Sequence, residues 1–143
     1  MAGDVTVQGV TLHPGSAAGA LLVLAEPLSL WGGVDVATGT ITEGRHPQRG
    51  ASLAGAILAM PAGRGSSSSS SVLAELLRVG RGPAGVLLGE PDVILVLGAL
   101  AAAELYGIEL PVVSLGAGCR EVPAAGRATV EAGPDDARVR FAP

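Results

Sequence analysis

Lysine is absent from the 143-residue sequence, so its nine cationic side chains are all arginines, set against 13 acidic ones. The formal net charge of −4 leaves no basic face of the kind that nucleic-acid-binding proteins carry. We therefore expect neither a nucleic-acid partner nor an anionic membrane surface. The single cysteine, Cys119, can form neither an internal disulfide nor a thiolate cage, so we expect no metal site in this chain.

Aromatic residues are also scarce, at 2% of the chain, although apolar residues as a whole make up 48%. The core must therefore be built from Ala, Val, Leu and Ile, and the length fits a single domain over residues 1–143. The longest apolar stretch, residues 93–105, is too short to span a bilayer. The N-terminus shows no cationic leader before an apolar run, and we expect a cytoplasmic protein.

The order of apolar runs and turn residues predicts an α/β fold of three β/β/α layers. Strands are predicted at 5–12, 20–24, 40–42, 53–60, 84–88, 110–115, 127–131 and 137–141. The middle of the chain reads as successive βαβ crossovers, with antiparallel strands at both ends packed around it. Residues 25–50, rich in Gly and Pro, are predicted to form a long structured loop.

Two helices are predicted between the middle strands. The first follows a run of six serines and ends near Gly80. The second is capped by Asp92 and ends at Gly107. Its predicted inner face consists of Ile94, Leu97, Ala101 and Leu105.

The serine run belongs to a segment from Gly63 to Ser71, the serine loop, which has three interpretations. A serine-rich tract can be a flexible linker, but this one lies between a predicted buried strand and an amphipathic helix. A single serine suffices to cap a helix, which leaves the other hydroxyls unexplained. The third interpretation is an anion site at the start of a helix.

An anion site has a physical basis in this pattern. Gly63 and Gly65 let the backbone approach a ligand, and free N–H groups at a helix start favour a carboxylate or phosphate. Arg64 can add a bidentate contact, and the hydroxyls of Ser66, Ser67 and Ser68 can donate hydrogen bonds or move protons. The pattern is not a Walker A loop, because no lysine follows the glycines.

Six ordered motifs resemble the aconitase X small subunit, or swivel domain, in a resemblance that covers the chain from about residue 5 to residue 116. They are PGSAxG at 14–19, WGGVDxxTGxI at 31–41, HPxxGxSxAG at 46–55, PxGRGSSSSSxVLxEL at 61–76, PDxILxLGAL at 91–100 and ELYGIxxPVV at 104–113. The resemblance implies the swivelling β/β/α domain of the aconitase superfamily. Members of this family are hydro-lyases (dehydratases) that act on small hydroxy acids such as cis-3-hydroxy-L-proline or mevalonate 5-phosphate.

The resemblance also implies a partner and a cofactor. In this family a large subunit holds an iron–sulfur cluster on its cysteines, and the small subunit closes over it, bringing a serine loop to the substrate. This chain has no cluster cysteines. We therefore expect no cofactor in this chain, a hetero-oligomer with a large subunit, and no activity from the chain alone.

The resemblance and the residue types together give a set of candidate site residues. Ser66, by its place in the RGSS motif, is the first candidate for moving a proton, with Ser67 and Ser68 as its close rivals. Gly63, Arg64, Gly65, Ser68 and Ser16 are the candidates for binding an anionic substrate. Asp35 and His46, in the long loop, are candidates for the subunit interface or the mouth of the site. The structural alternatives are that Asp35 fixes a Gly-rich turn and that His46 packs before Pro47.

Two other functions remain open from the residues alone. The chain could be a stand-alone binding module for small anions that keeps the fold without catalysis. It could also be a cluster-free enzyme, in which His46 or Asp35 would have to act as acid or base.

Overall fold

The structure, a computed structural model, describes residues 3–143. Seven strands close into a barrel in the order β1-β7-β6-β5-β2-β8-β9. Their bounds are β1 Val5–His13, β2 Gly15–Val23, β5 Ile57–Met60, β6 Gly85–Leu88, β7 Val112–Ser114, β8 Arg127–Ala132 and β9 Asp136–Ala142. Two short strands, β3 Val34–Asp35 and β4 Thr40–Ile41, pair with each other outside the barrel.

The middle of the chain forms two crossovers of the expected kind. Strand β5 pairs in parallel with β2 and β6, and β6 pairs in parallel with β7. Helix α2 (Ser69–Arg78) connects β5 to β6, and helix α3 (Val93–Tyr106) connects β6 to β7. The remaining barrel pairs are antiparallel, which confirms the prediction for both ends of the chain.

Each side of the parallel strands faces a separate core. Along β5, Ile57 and Ala59 point into the barrel, whereas Leu58 and Met60 contact the layer of helices. Residues buried on both sides explain why this strand reads as a continuous apolar run rather than an alternating one. The two facing walls of the barrel and the layer of helices are the three layers of the predicted β/β/α fold.

Two strand starts differ from the prediction. Strand β2 begins at Gly15, not at residue 20. The small residues from 15 to 20 are weak strand formers, so no strand signal is visible there in the sequence. Strand β5 begins at Ile57, not residue 53. A turn at Gly55, with φ +71°, precedes it, although Leu53 and Ala56 on either side of the turn are still buried.

The prediction of which α3 residues face the core was wrong. Leu97 and Leu105 are exposed, and the buried residues of the helix are instead Leu95, Gly98, Ala99 and Ala102. Apolar residues surround this helix, so their spacing does not select a face. Gly98 decides the orientation, because a Cβ there would lie 2.8 Å from the carbonyl oxygen of Ser70 on α2.

Residues 25–50 are ordered, as predicted. They contain β3, β4 and a short helical turn, α1 (Leu30–Gly33), whose backbone is non-helical at Trp31 and Gly32. A 3₁₀ helix at Gly116–Glu121, which the sequence did not indicate, follows β7. Within residues 3–143, no helix combines the length and apolarity needed to cross a membrane.

Candidate functional site: the serine loop

A small cavity of about 20 Å³ opens where the serine loop meets the starts of α2 and α3. It lies beyond the carboxyl ends of the parallel strands, the usual position of ligand sites in α/β folds. Three chain segments form its wall. The lining residues are Leu28, Leu30, Gly63, Arg64, Gly65, Ser66, Ser69, Asp92, Ile94 and Leu95.

The backbone of the serine loop turns sharply before α2. Gly65 has φ +106°, a conformation that side chains oppose, and a Cβ there would meet the side chain of Ser29. The Oγ of Ser66 accepts the N–H of Ser68 at 3.0 Å, and its carbonyl accepts the N–H of Ser69 at 3.0 Å. Ser66 therefore accepts the N–H groups of the last residue before α2 and of its first residue, whereas Ser68 makes no side-chain cap of its own.

The residues just before α2 also leave two backbone N–H donors available. Within residues 3–143, the N–H groups of Ser66 and Ser67 have no intramolecular acceptor. Both N–H groups precede α2, where the helix dipole favours negative charge. This geometry supports an anion site and contradicts the flexible-linker interpretation, because the last three serines form the first turn of an ordered helix.

Arg64 has a partner that the sequence did not indicate. Its Nη2 donates to Oε2 of Glu43 at 2.5 Å, and this hydrogen bond is the main cause that raises the pKa of Arg64 above its ordinary value. About half of the Arg64 side chain is exposed and the residue lines the cavity, and the bond to Glu43 uses only one of the five guanidinium N–H donors. The guanidinium can therefore contact Glu43 and an anion at the same time.

Residues 28–31, at the start of the long loop, form another wall of the cavity. Leu28 bridges Gly63 in parallel, and the N–H of Trp31 donates to Oγ of Ser69 at 3.3 Å. Ser69 is buried, whereas the indole of Trp31 is exposed. These two contacts hold residues 28–31 against the serine loop.

Asp92 is a cavity residue that the sequence indicated only as a helix cap. Its Oδ1 accepts the N–H groups of Ile94 at 2.8 Å and Leu95 at 3.2 Å, which confirms the cap. Its Oδ2 lies so close to Cα of Gly63 that no side chain would fit there. Gly63 is thus required by packing against the start of α3, and a carboxylate oxygen lies beside the serine loop.

A family model described as the aconitase X swivel domain matches residues 6–134 of the chain. The chain belongs to the aconitase X swivel domain family. The crystal structure of aconitase X from Thermococcus kodakaraensis in its holo-form has the same fold, with a TM-score of 0.82 and 30% identity. That comparison covers 94% of this chain and 98% of the other.

Two relatives place this swivel domain in different contexts. The cis-3-hydroxy-L-proline dehydratase of Pseudomonas aeruginosa is 52% identical over 106 residues, which are 74% of this chain but only 18% of that protein. The phosphomevalonate dehydratase small subunit of Thermococcus gammatolerans is 41% identical over 96 residues, 67% of this chain and 73% of that one. The same swivel domain thus matches a small part of one relative and most of the other.

The swivel domain brings together some of the predicted site residues. Gly63, Arg64, Gly65 and Ser66 line the cavity, as the sequence suggested. The cavity wall does not include Ser67 or Ser68, and the first of these is exposed. The cavity wall includes Ser69 instead, which nothing in the sequence distinguishes from the other serines of the run.

Ser16 lies at the other end of the barrel. Ser16 is near the start of β2, whereas Val23, at the end of β2, pairs with β5, the strand that leads into the serine loop. At 3.3 Å per residue, Ser16 and Val23 are roughly 23 Å apart. The backbone N–H of Ser16 donates to Oε1 of Glu109 at 2.6 Å. The structure therefore does not place Ser16 in the cavity.

Asp35 and His46 both make structural hydrogen bonds. Oδ1 of Asp35 accepts the N–H of Ala37 at 3.0 Å and fixes the turn between β3 and β4. His46 is buried; its Nδ1 accepts the N–H of Gln48 at 3.1 Å, and its Nε2 lies 3.2 Å from the carbonyl of Glu26. With both ring nitrogens occupied by backbone groups, His46 has no free atom for acid or base chemistry.

The residues of this chain do not fit an iron–sulfur cluster. The sequence has one cysteine, Cys119, and residues 3–143 contain no group of three His, Cys, Asp or Glu side chains that could hold a metal ion. A cluster in an enzyme of this family would therefore need ligands from another polypeptide or region.

Proposed function

We propose that this chain is the swivel subunit of an aconitase X-type hydro-lyase that dehydrates a small anionic hydroxy acid. The observation that carries the proposal is the cavity lined by Arg64 and Ser66 at the start of α2, where the N–H of Ser66, and that of Ser67 beside it, have no intramolecular acceptor within residues 3–143. The names of the relatives supply the reaction class, and the two substrates, cis-3-hydroxy-L-proline and mevalonate 5-phosphate, each carry at least one anionic group.

In the proposed reaction this chain binds the substrate anion and moves one proton. Arg64 and the N–H groups of Ser66 and Ser67 bind the carboxylate or phosphate. A base removes a proton from carbon, its electron pair forms the C=C bond, and the hydroxyl leaves as water after gaining a proton. Ser66 is the proposed base and would act as its alkoxide: Oγ takes the proton from carbon and passes it to the leaving hydroxyl, which regenerates the alkoxide. The N–H of Ser68, which donates to this Oγ, would stabilise the negative charge.

The proposal includes a partner that completes the site. A cavity of about 20 Å³ holds little more than a water molecule, so it cannot enclose a hydroxy acid. We propose that a large subunit supplies the remaining walls and any iron–sulfur cluster, because this chain lacks ligands for one. A cytoplasmic location remains a prediction.

The test uses the Pseudomonas aeruginosa enzyme expressed without the segment that matches this chain, here called the truncated enzyme. At 52% identity, this chain should replace the missing segment. Each protein alone is expected to be inactive, and the mixture is expected to dehydrate cis-3-hydroxy-L-proline, with mevalonate 5-phosphate as the second substrate tested. A stable mixed complex that dehydrates neither substrate would overturn the proposal.

A further inference from the structure

We infer that an exposed apolar surface on α3, together with Trp31, is where the catalytic body of the enzyme docks. The catalytic body is the part of an aconitase X enzyme outside this chain: a large subunit, or the remainder of a fused relative. The surface, here called the docking stripe, consists of Val93, Leu97 and Leu100. This inference rests on the proposed function, because it names the surface through which that partner binds.

Helix α3 has the composition of a helix that is buried on every side. Among residues 93–106, Glu104 is the only charged side chain. A helix that is hydrophobic all round normally lies inside a protein. Yet Val93 is 67% exposed, Leu97 48% and Leu100 46%, and their i, i+4, i+7 spacing places them on one face. An unpartnered apolar face of this kind marks an interaction surface.

The docking stripe begins at the mouth of the cavity. Val93 directly follows the cavity residue Asp92, and the same helical face ends at Glu104, in the turn farthest from the cavity. Trp31 follows the cavity residue Leu30 and is 60% exposed. The backbone N–H of Trp31 donates to Oγ of Ser69 and holds this residue beside the loop, which leaves its exposed indole available as an aromatic anchor.

This position favours the catalytic body over a second copy of this chain. A partner seated on the stripe would reach the cavity at Asp92, next to Val93, and the cavity needs additional walls to enclose a substrate. A second copy would add only another small serine cavity. Most of the Pseudomonas relative lies outside its match to this chain, and that larger part is tethered to a homologous swivel segment.

The test measures binding of this chain to the truncated enzyme by calorimetric titration. The variants are Val93→Lys, Leu97→Lys and Leu100→Lys, since lysine is a good helix former at exposed positions and should preserve the fold. The control is Val10→Lys, at a 58% exposed position on β1 opposite Asp136 of β9, where a lysine gains an acidic neighbour. Circular dichroism and Tm confirm that each variant folds.

Each stripe variant is expected to raise Kd by about tenfold or more, and the control variant by less than about twofold. Trp31 is the only tryptophan, so chain labelled with 5-fluorotryptophan should give one fluorine resonance, which should shift on complex formation. Stripe variants that bind like wild type would overturn the inference. A wild-type dimer that Leu97→Lys dissociates, with binding to the truncated enzyme unchanged, would assign the stripe to a second copy and also overturn it.

The outcome separates the inference from the proposed function. Turnover by the complex with stripe variants of wild-type affinity would refute only the docking stripe. A complex that depends on the stripe but has no turnover would refute only the proposed activity. If the wild-type chain forms no complex, both proposals are wrong.

Discussion

Glu43 accepts a hydrogen bond of 2.5 Å from Nη2 of Arg64, and this bond connects the long loop to the serine loop. The pair is partly exposed, so its contribution to stability is small, as for most surface ion pairs. Its consequence is positional. Glu43 restricts a long, flexible side chain at the cavity mouth, and the same hydrogen bond raises the pKa of Arg64.

We predict that Arg64→Gln raises KM of the mixed complex about tenfold to a hundredfold, the effect of losing a hydrogen bond to a charged group. Glu43→Gln should raise KM less, because an amide oxygen can still accept from Arg64. Steady-state kinetics with cis-3-hydroxy-L-proline would measure both. Arg81→Gln, an exposed arginine beyond the far end of α2, is the control. A KM unchanged by Arg64→Gln would remove this residue from the site.

Ser66→Ala is predicted to lower kcat by about a hundredfold or more, the usual size of a general acid–base contribution. Ser67→Ala should have a smaller effect, because its side chain lies outside the cavity wall. The loss of the Ser66 cap costs about 1 kcal/mol of stability, which thermal unfolding can measure separately. Ser71→Ala is the matched control. Equal losses of kcat in Ser66→Ala and Ser71→Ala would contradict the assignment.

The order of elements could be read from the sequence because apolar runs and turn residues report local structure directly. The orientation of α3 could not, since Leu97 and Leu95 are equally apolar and only contact with α2 through Gly98 distinguishes them. Strand β2 was missed in part because Gly15 has no local preference for a strand. Pairing with Ala132 of β8, far along the chain, creates that part of the strand.

The serine loop could be recognised because its glycines, arginine and serines are consecutive. Its partners could not, because Glu43 and Asp92 lie 21 and 29 positions away from the residues they contact and only the fold brings them there. His46 shows the opposite failure. Histidine is a common catalytic residue, but burial and two backbone hydrogen bonds give this one a structural task.

Gly65→Ala is predicted to destabilise the protein by about 1–3 kcal/mol, because φ +106° is strained for alanine and its Cβ would meet Ser29. Adding Ser29→Gly should recover part of this loss by removing the collision, while the backbone strain persists. Chemical denaturation of the two single variants and the double variant measures the coupling. Fully additive effects would show that the two residues do not collide.

His46→Ala is predicted to cost about 2–4 kcal/mol, since it leaves the carbonyl of Glu26 and the N–H of Gln48 without their buried partner. His46→Asn should cost less, because its Oδ1 can still accept from Gln48. At a temperature where both variants are folded, kcat of the mixed complex should stay within about twofold of wild type. A large fall in kcat for a folded variant would restore the acid–base role of this histidine.

Asp92 allows the cap and the cavity charge to be tested separately. Asp92→Ala removes the acceptor of two N–H groups and should lower the stability by about 1–2 kcal/mol. Asp92→Asn keeps an acceptor at Oδ1, so its stability should stay close to wild type, while the negative charge beside Gly63 disappears. That charge opposes an anion in the cavity. The asparagine variant should therefore bind the substrate anion more tightly and show a lower KM. If Asp92→Asn instead lowers kcat with KM unchanged, the carboxylate takes part in proton transfer, and Ser66 is not the only group in the cavity that does so.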